Sequence, residues 1–490
     1  MSDKQRPPPP PPNDGEIVER NNVFLDENRV KRSPDSKANW KEKTIWTGDN
    51  LIIMRRLNSA CVDMAYLDPP FNSKRNYAAP IGSEAAGAEF KDIWTLNDID
   101  KEWIALLKKK HEKLYYIILT AMTNSDKSYL AYMAPRLLEI KRILKEDGSV
   151  YLHCDPTMSH YLKLMMDAIF GVDKYLAEIT WKRNTSHNDS QTFGNIKDTI
   201  LFYGTKKINV DAIRVPLEQE YINKTYIHDD KDGRGPYASA DLTAKGLSGG
   251  GYYYDFHGHD GPWRYPEHRM LELKKEKRIR MPTKKNGIPR FKRYLKDVKG
   301  KAPSNLWLDI PPLQGGSKEK TGFRTQKPEA LLRRIIRASS DKGDIVFDPF
   351  CGCATTLVVA DDEQRDWIGI DISPKAVELV KKRIKKQQGL FKDIISRDDI
   401  PQRTDLGKLQ SPRSHFDKLY GDQRGYCNGC ETHFEDRHLE VDHIIAKAKG
   451  GTDHIDNLQL LCSACNRKKG DRGQEYLIQQ LKLDKKELGL

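Results

Sequence analysis

Val62-Asp63-Met64-Ala65-Tyr66-Leu67-Asp68-Pro69-Pro70-Phe71 decides how this chain is read. The apolar run from Val62 to Leu67 has the length of a short buried strand, and the prolines close it with a stiff turn. Each proline fixes its own φ and restrains the residue before it, so the peptide holds one rigid, poorly solvated geometry. A carboxylate (Asp68), a carbonyl (Pro69) and an aromatic ring (Phe71) then project from one strand end. Two such acceptors suit a planar exocyclic NH₂, with the ring stacked on the base that carries it. These residues alone fit an ordinary proline turn equally well, and the surrounding chain has to separate the two readings.

Upstream, Thr44 to Trp46 reads as a strand, followed by Thr47-Gly48-Asp49-Asn50 and a helical run from Leu51 to Leu57. Downstream come a segment rich in Gly and Ala, from Ala78 to Glu89, expected to be mobile, and a helix over Leu130 to Leu144 stopped by Asp147-Gly148. A strand over Ser149 to Cys154 and a helix over Tyr161 to Phe170 complete this half. Strands alternating with helices of this length predict an α/β domain with a largely parallel sheet. The pattern returns at Thr325: a helix with Pro328 in its first turn and Leu331, Leu332, Ile335 and Ile336 on one face, a strand over Asp344 to Asp348, a helix near Thr355 to Asp361, a strand over Trp367 to Asp371, and a helix from Pro374.

Between those halves the pattern fails. Glycines cluster from Gly246 to Gly251 beside Tyr252, Tyr253, Tyr254 and Trp263, and Arg264 to Lys301 holds fifteen Lys or Arg against four Asp or Glu. Basic residues interleaved with aromatics predict a nucleic-acid surface; a solvated lysine-rich helix is the plainer alternative. The formal net charge of +13 points the same way.

Asp348-Pro349-Phe350-Cys351-Gly352-Cys353-Ala354-Thr355-Thr356 lies between a strand and a helix. Its small residues let a ligand lie against the backbone at the helix N-terminus. Asp371 follows Asp348 by twenty-three positions, at the end of the next strand, where a carboxylate accepts hydrogen bonds from ribose hydroxyls. The loop lacks GxGxxG, which disfavours a dinucleotide, and lacks the lysine a triphosphate needs. A nucleoside cofactor without phosphates fits, and S-adenosylmethionine is the common one.

At this point the chain resembles the amino-methyltransferases of DNA, in the permuted order where the target-amine motif precedes the cofactor motif. The match rests on Asp68 to Phe71, Thr325-Gln326-Lys327-Pro328-Glu329, Asp348 to Thr356 and Ile368-Gly369-Ile370-Asp371, and it looks most like the methylase subunits of type III-like systems. The resemblance covers residues 40 to 390 and implies a Rossmann-like methyltransferase fold with 206–316 as a target-recognition insert. It implies that Asp68 and the Pro69 carbonyl hold the target amine, that Pro70 completes this catalytic motif, and that Phe71 stacks on a flipped base. It also implies that Asp348, Phe350, Gly352 and Thr355 belong to the cofactor loop, that Asp371 binds ribose, that Lys327 and Pro328 border the methionine end, and that Asp49 touches the adenine amine of the cofactor. Aspartate at the head of the target motif is associated with adenine, and serine with the cytosine amine. Ala354 departs from the glycine that many members carry; alanine is nearly as small, so the departure reads as minor.

Cys427-Asn428-Gly429-Cys430 and Cys462-Ser463-Ala464-Cys465 are two CxxC pairs separated by 31 residues. Met1 to Gly15 has no apolar segment that would make an export signal, so a cytoplasmic location and structural zinc on Cys427, Cys430, Cys462 and Cys465 are expected rather than disulfides. No run approaches a membrane span. Between and after the pairs stand Glu440-Val441-Asp442-His443-Ile444-Ile445, Gly450-Gly451, Asp456-Asn457-Leu458 and Asn466-Arg467-Lys468. This segment resembles the zinc-knuckle HNH nucleases, small ββα-metal folds. The resemblance implies His443 as general base, Asp442 and Asn466 as ligands of magnesium or another divalent ion, and Asn457 as the residue orienting the histidine loop.

The expected organisation begins with a Pro-rich disordered tail (1–36). A first methyltransferase segment with the target-amine motif (37–205), the insert (206–316) and a second methyltransferase segment with the cofactor motif (317–390) follow. A linker (391–415) then leads to the HNH domain (416–490). The expected function is methylation of adenine in duplex DNA joined to DNA cleavage; the family also suggests a homodimer. The alternatives are a zinc module that binds DNA without cutting it, cytosine N4 as target, and methylation of RNA.

Overall fold

The computed structural model describes residues 37–73, 75–78, 89–92, 107, 111–184, 193–205, 208–246, 249–284, 287–314, 316–323, 325–388 and 394–487. The expected Pro-rich tail and nearly all of the Gly/Ala segment lie outside them; Ala78 and Glu89 end and begin two paired strands, Arg75–Ala78 and Glu89–Asp92. Two compact units emerge, one of residues 1–208 with 305–490 and one of residues 209–304.

The first unit is built on a nine-stranded sheet. Its strands in chain order are β1 (Thr44–Thr47), β2 (Val62–Leu67), β3 (Leu144–Cys154), β4 (Tyr175–Lys182), β5 (Lys197–Tyr203), β6 (Leu306–Trp307), β7 (Ile345–Asp348), β8 (Asp366–Asp371) and β9 (Ile395–Arg397). Their spatial order is β6-β4-β5-β3-β2-β7-β8-β1-β9. Only β5 runs against its neighbours. From β2 the chain winds one way to β3, and from β7 the other way to β8. The switch point therefore falls between β2 and β7, where the carboxyl ends of an open α/β sheet leave a crevice.

Every residue of β2 is buried, as expected of a central parallel strand; the one charged member, Asp63, is held by Lys145 and the Ile345 amide. Helices cover both faces: α1 (Asn50–Met54), α2 (Glu112–Thr120), α3 (Asn124–Ile143) and α4 (Ser159–Phe170) from the first half, α5 (Glu329–Ser339), α6 (Thr355–Asp362) and α7 (Pro374–Gln388) from the second. The four apolar residues expected on one face of α5 are all fully buried.

Three expectations are corrected. The helix before β3 begins at Asn124 and ends at Ile143, one residue short of the expected Leu144, but Asp147-Gly148 is not what stops it, since the strand begins at Leu144. Residues 145–148 instead form a bulge within β3, where a Cβ on Gly148 would meet the Lys145 and Asp63 carbonyl oxygens at 3.0 and 3.2 Å. The insert is shorter than 206–316, because β6 pairs with β4 and the Trp181 indole donates to the Ile310 carbonyl at 2.9 Å. The 391–415 segment is no free linker. It supplies β9 beside β1, Arg397 lies over the Trp46 ring, and Thr404 and Asp405 bond to Asn58 and Ser59. Polar composition disguised a segment that satisfies the polar groups of a turn.

The second unit has a three-stranded antiparallel sheet (Tyr237–Asp241, Arg290–Tyr294, Ile279–Arg280) and a core of Leu242, Phe256, Trp263, Met270, Leu273 and Ile279. Much of its positive charge is paired within the unit: Lys292 with Asp230, Arg278 with Asp297, Lys301 with Glu218 and Arg269 with Glu272. Acids outside the 264–301 stretch thus neutralise some of it. Tyr252 and Tyr253 are exposed. Among the described residues no helix is long and apolar enough to cross a membrane.

The C-terminal segment is a hairpin of β10 (Leu439–His443) and β11 (Leu458–Cys462) with helices α8 (Phe416–Gln423), α9 (Ser463–Lys469) and α10 (Gln474–Glu487). The thiols and leucines of the knuckles form its core.

Candidate active site

One cavity opens at the switch point. It is lined by Tyr66, Asp68, Pro69, Pro70 and Phe71 after β2, by Thr325 and Lys327 before α5, by Asp348, Phe350, Gly352 and Thr355 after β7, and by Asp371 after β8. Asp49, Tyr132 and Arg136 close another side. The two motif groups, far apart in sequence, thus face one space.

Lys327 is buried, and its ammonium donates to both Asp68 carboxylate oxygens, at 2.8 and 2.6 Å. The same nitrogen lies 5.1 Å from the centroid of the Phe71 ring. A carboxylate oxygen has two lone pairs, so each Asp68 oxygen keeps one for a further donor. Lys327 was expected beside the cofactor; it lines that cavity, but its charge is spent on Asp68. Pro328 is the residue just before α5, not within it, and its carbonyl accepts from Leu331.

On the cofactor side the backbone is shaped by carboxylates. Asp371 Oδ2 accepts from the Gly352 amide and Oδ1 from the Ser373 amide, both at 2.8 Å, and burial raises its carboxyl above the ordinary range. Gly352 has φ +49°, and a Cβ there would meet the Phe323 ring at 3.2 Å. Asp348 accepts from the Phe350 amide at 3.0 Å; burial, with Asp68 and Asp371 adding to it, pushes its carboxyl up to about 7. Thr355 opens α6 and bonds Arg383 at 3.1 Å. Ala354 has φ +58°, in the left-handed region. Size is therefore not what glycine offers at this position: the backbone conformation is, and alanine adopts it at a cost.

Asp49 caps α1, its Oδ1 accepting from Leu51 and Ile52. Its other oxygen lies 3.5 Å from Arg136. Arg136 was not singled out from sequence. Its Nε donates to Asn50 Oδ1 at 2.7 Å, and Asn50 Nδ2 donates to the Pro349 carbonyl at 2.8 Å, so one chain of bonds fixes α1 and the cofactor turn to α3. A buried arginine inside a long helix carries no local pattern that would reveal this.

Strand order, switch-point cavity and acidic strand ends define the class: an α/β protein that takes its ligand at the carboxyl ends of parallel strands. The chain belongs to the DNA methylase family, whose model matches residues 62–382, and an HNH endonuclease domain matches residues 427–472. The StyLTI Mod subunit, a type III restriction-modification enzyme of Salmonella typhimurium strain LT2, is 32% identical over 397 residues, 76% of this chain and 58% of that one. The type II methyltransferase M.EcaI of Enterobacter cloacae is 30% identical over 347 residues, 69% of this chain and 68% of that one. The DNA adenine methyltransferase YhdJ of Escherichia coli K12 is 24% identical over 344 residues, 70% of this chain and 82% of that one. The chain thus spans less than two thirds of the StyLTI subunit's length.

In the HNH domain the ligand atoms of Cys427, Cys430, Cys462 and Cys465 lie within 4.8 Å of one another. Four thiols so gathered can hold zinc, whose bonds to sulfur are about 2.3 Å. Asn457 is buried and staples the loop after His443: its Oδ1 accepts from the Ile445 amide, and its Nδ2 donates to the Ile445 and Thr452 carbonyls. His443 Nε2 lies 2.7 Å from Asp453 Oδ1, a partner not singled out from sequence, and Lys447 bonds the same carboxylate. Asp442 and Asn466 each bond to other side chains. Asp442 Oδ2 receives the fully buried Lys469 ammonium at 3.0 Å and Gln459 at 3.0 Å, whereas Asn466 donates to Glu440 at 2.6 Å. Among the described residues the cysteines alone form a group of three or more Cys, His, Asp or Glu that can hold a metal.

Proposed function

We propose that this chain moves a methyl group from S-adenosylmethionine to the exocyclic amine of an adenine flipped out of duplex DNA. The observation that carries the reading is the shared cavity: the target-amine motif and the acidic cofactor turns line one space. S-adenosylmethionine supplies an activated methyl on a sulfonium. Asp371, with a lone pair left on each oxygen, is placed for ribose hydroxyls, and the Gly352 turn gives the close backbone approach a nucleoside needs. The aromatic amine is a poor nucleophile because its lone pair is delocalised into the ring. Asp68 and the Pro69 carbonyl, each accepting one N–H, favour a more tetrahedral nitrogen and direct its lone pair. Alignment of this kind contributes about 7–11 kcal/mol at best. Phe71 provides a stacking surface for a base that leaves the duplex. Adenine is favoured by aspartate at the head of the motif and by the likeness to YhdJ.

Incorporation of labelled methyl into duplex DNA tests the reading. Transfer is expected for the intact chain and lost in Asp68→Ala with S-adenosylmethionine binding retained. Full transfer by that variant would remove Asp68 from its role.

The HNH domain is read as a DNA nuclease in which His443 takes a proton from the attacking water, with zinc holding the knuckles. Asp442 and Asn466 would offer magnesium their oxygen donors, though Asp442 here bonds Lys469 and Gln459 and Asn466 bonds Glu440. The same observation favours a second reading, a zinc module that binds DNA without cutting. Divalent-ion-dependent cleavage abolished by His443→Ala supports the first; binding weakened by Cys427→Ser without cleavage under any ion supports the second.

A further inference from the structure

Below the mouth of the cavity, three neighbouring strands each place one polar side chain on the same buried face. Tyr66 of β2, His153 of β3 and Asp198 of β5 are at most 1% exposed. Tyr66 Oη lies 2.8 Å from His153 Nδ1, and His153 Nε2 lies 3.1 Å from Asp198 Oδ2. Arg183 approaches the other Asp198 oxygen at 3.3 Å. The rest of this face is mainly apolar, formed by Ile179, Trp181, Ile200, Phe202 and Tyr151, whose hydroxyl bonds Ser339. Packing alone would be served by more such residues, because each buried polar group costs free energy unless its bonds are met.

The imidazole ends up fixed in plane. The Asp198 carboxylate can only accept, so Nε2 carries a proton; burial keeps the Tyr66 phenol protonated, and it closes on Nδ1. The flat ring so held stacks against Phe71, with centroids 5.7 Å apart and planes inclined by 24°. Phe71 itself follows two prolines and lies outside any strand. Its orientation therefore depends on what it rests on.

We propose that His153 is a positioning residue for the target base: locked by Tyr66 and Asp198, its ring holds Phe71 in the attitude from which Phe71 stacks on the flipped base. The proposal rests on the reading of Phe71 given above. Tyr66 and Asp198 act at one further remove, by fixing the imidazole.

The test is a double-mutant cycle on the full chain, using a duplex whose target site has first been mapped by sequencing methylated DNA. Removing the histidine platform with His153→Gln should lower kcat/KM for methyl transfer about 2- to 10-fold, the size of an aromatic pair's coupling. In the Phe71→Ala background the same change should have no further effect, because the two side chains act in series. A duplex with 2-aminopurine at the target position gives the spectroscopic reading: His153→Gln should lengthen the fluorescence lifetime of the flipped base, as Phe71→Ala does. Calorimetric binding of S-adenosylmethionine, retained in both variants, shows that the fold is intact. If His153→Gln does not fold, Tyr66→Phe removes one oxygen from the network and should change transfer and lifetime in the same direction. An equal loss with and without Phe71, or no loss at all, overturns the positioning role. A Phe71→Ala chain as active as the parent overturns instead the stacking reading on which it rests.

Discussion

The ammonium of Lys327 bonds both oxygens of Asp68, residues 259 positions apart in the chain, at the mouth of the cavity. The pair sits beside two further carboxylates, Asp348 and Asp371. Lys327 thus gives Asp68 a fixed direction as well as a counter-charge. Lys327→Met keeps most of the side chain's length and deletes the charge. It should reduce kcat for methyl transfer by about 100-fold, the scale of a small misplacement at a reacting centre. The affinity for S-adenosylmethionine should change much less, since Asp371 and the Gly352 turn are untouched. Single-turnover rates and calorimetry on the same preparation separate the two effects, and a loss confined to cofactor affinity would return Lys327 to the methionine end.

Asp348 makes stability depend on pH. Its folded carboxyl is pushed up to about 7 by burial, against an ordinary value near 4. The sign follows from linkage: a group raised in the folded state contributes stability at low pH that is lost as pH climbs through its folded value. Asp348→Asn keeps the acceptor for the Phe350 amide and cannot ionise. Its melting temperature relative to the parent should therefore rise between about pH 4 and pH 7. A difference that stays flat across that window would show that Asp348 is not titrating there.

Ala354 gives the clearest case where sequence misled. Alanine in place of glycine reads as a small change in size, yet φ at this position is +58°. The left-handed region costs an L-residue about 1–2 kcal/mol, partly offset because alanine has less freedom to lose on folding. Ala354→Gly should then stabilise the chain by up to about 1 kcal/mol, visible as a rise of a few degrees in melting temperature. Destabilisation would mean that Ala354's buried methyl packs too well to lose.

Local pattern made the parallel strands, the α5 face and the switch-point motifs legible, because each is written in consecutive residues: an apolar run, a 3.6-residue period, a proline turn. What escaped depends on partners distant in sequence. The salt bridge from Lys327 and the Arg136–Asn50–Pro349 chain join elements whose adjacency only the fold provides, while the Asp453 partner of His443, ten positions on, depends on how the loop between β10 and β11 folds back. Segment 391–415 escaped for a related reason. Arg403 and Asp405 look solvent-bound in sequence, but they bond each other and Ser59, just ahead of the central strand β2. The insert's charge was overestimated likewise, since Asp230 and Glu218 lie outside the basic stretch they neutralise.

The knuckles should carry the C-terminal fold. Three of the four cysteines belong to its small core, with Cys430 packed against it, and structural zinc contributes folding free energy directly. Chelation, or Cys427→Ser, should lower the metal content by one zinc per chain and make 416–490 sensitive to protease. Methyl transfer should persist, because none of the cavity residues lies in that segment. Retention of a compact C-terminal segment without metal, seen by limited proteolysis, would assign its stability to Leu458, Leu460 and Leu461 instead.

Asp453 offers the sharpest test of the nuclease. It lies 2.7 Å from His443 Nε2 and is itself held by Lys447, so one ring nitrogen is occupied by a carboxylate. An acidic partner orients the imidazole and stabilises its protonated form once it has taken a proton. Asp453→Asn keeps the shape and removes the charge. If the domain cuts DNA with His443 as base, cleavage should fall by about 10- to 100-fold in this variant and further in His443→Ala. The double variant should be no worse than His443→Ala alone, since Asp453 acts only through the histidine. Cleavage that survives His443→Ala but not Asp453→Asn would reverse the assignment and make the carboxylate the group that acts on DNA.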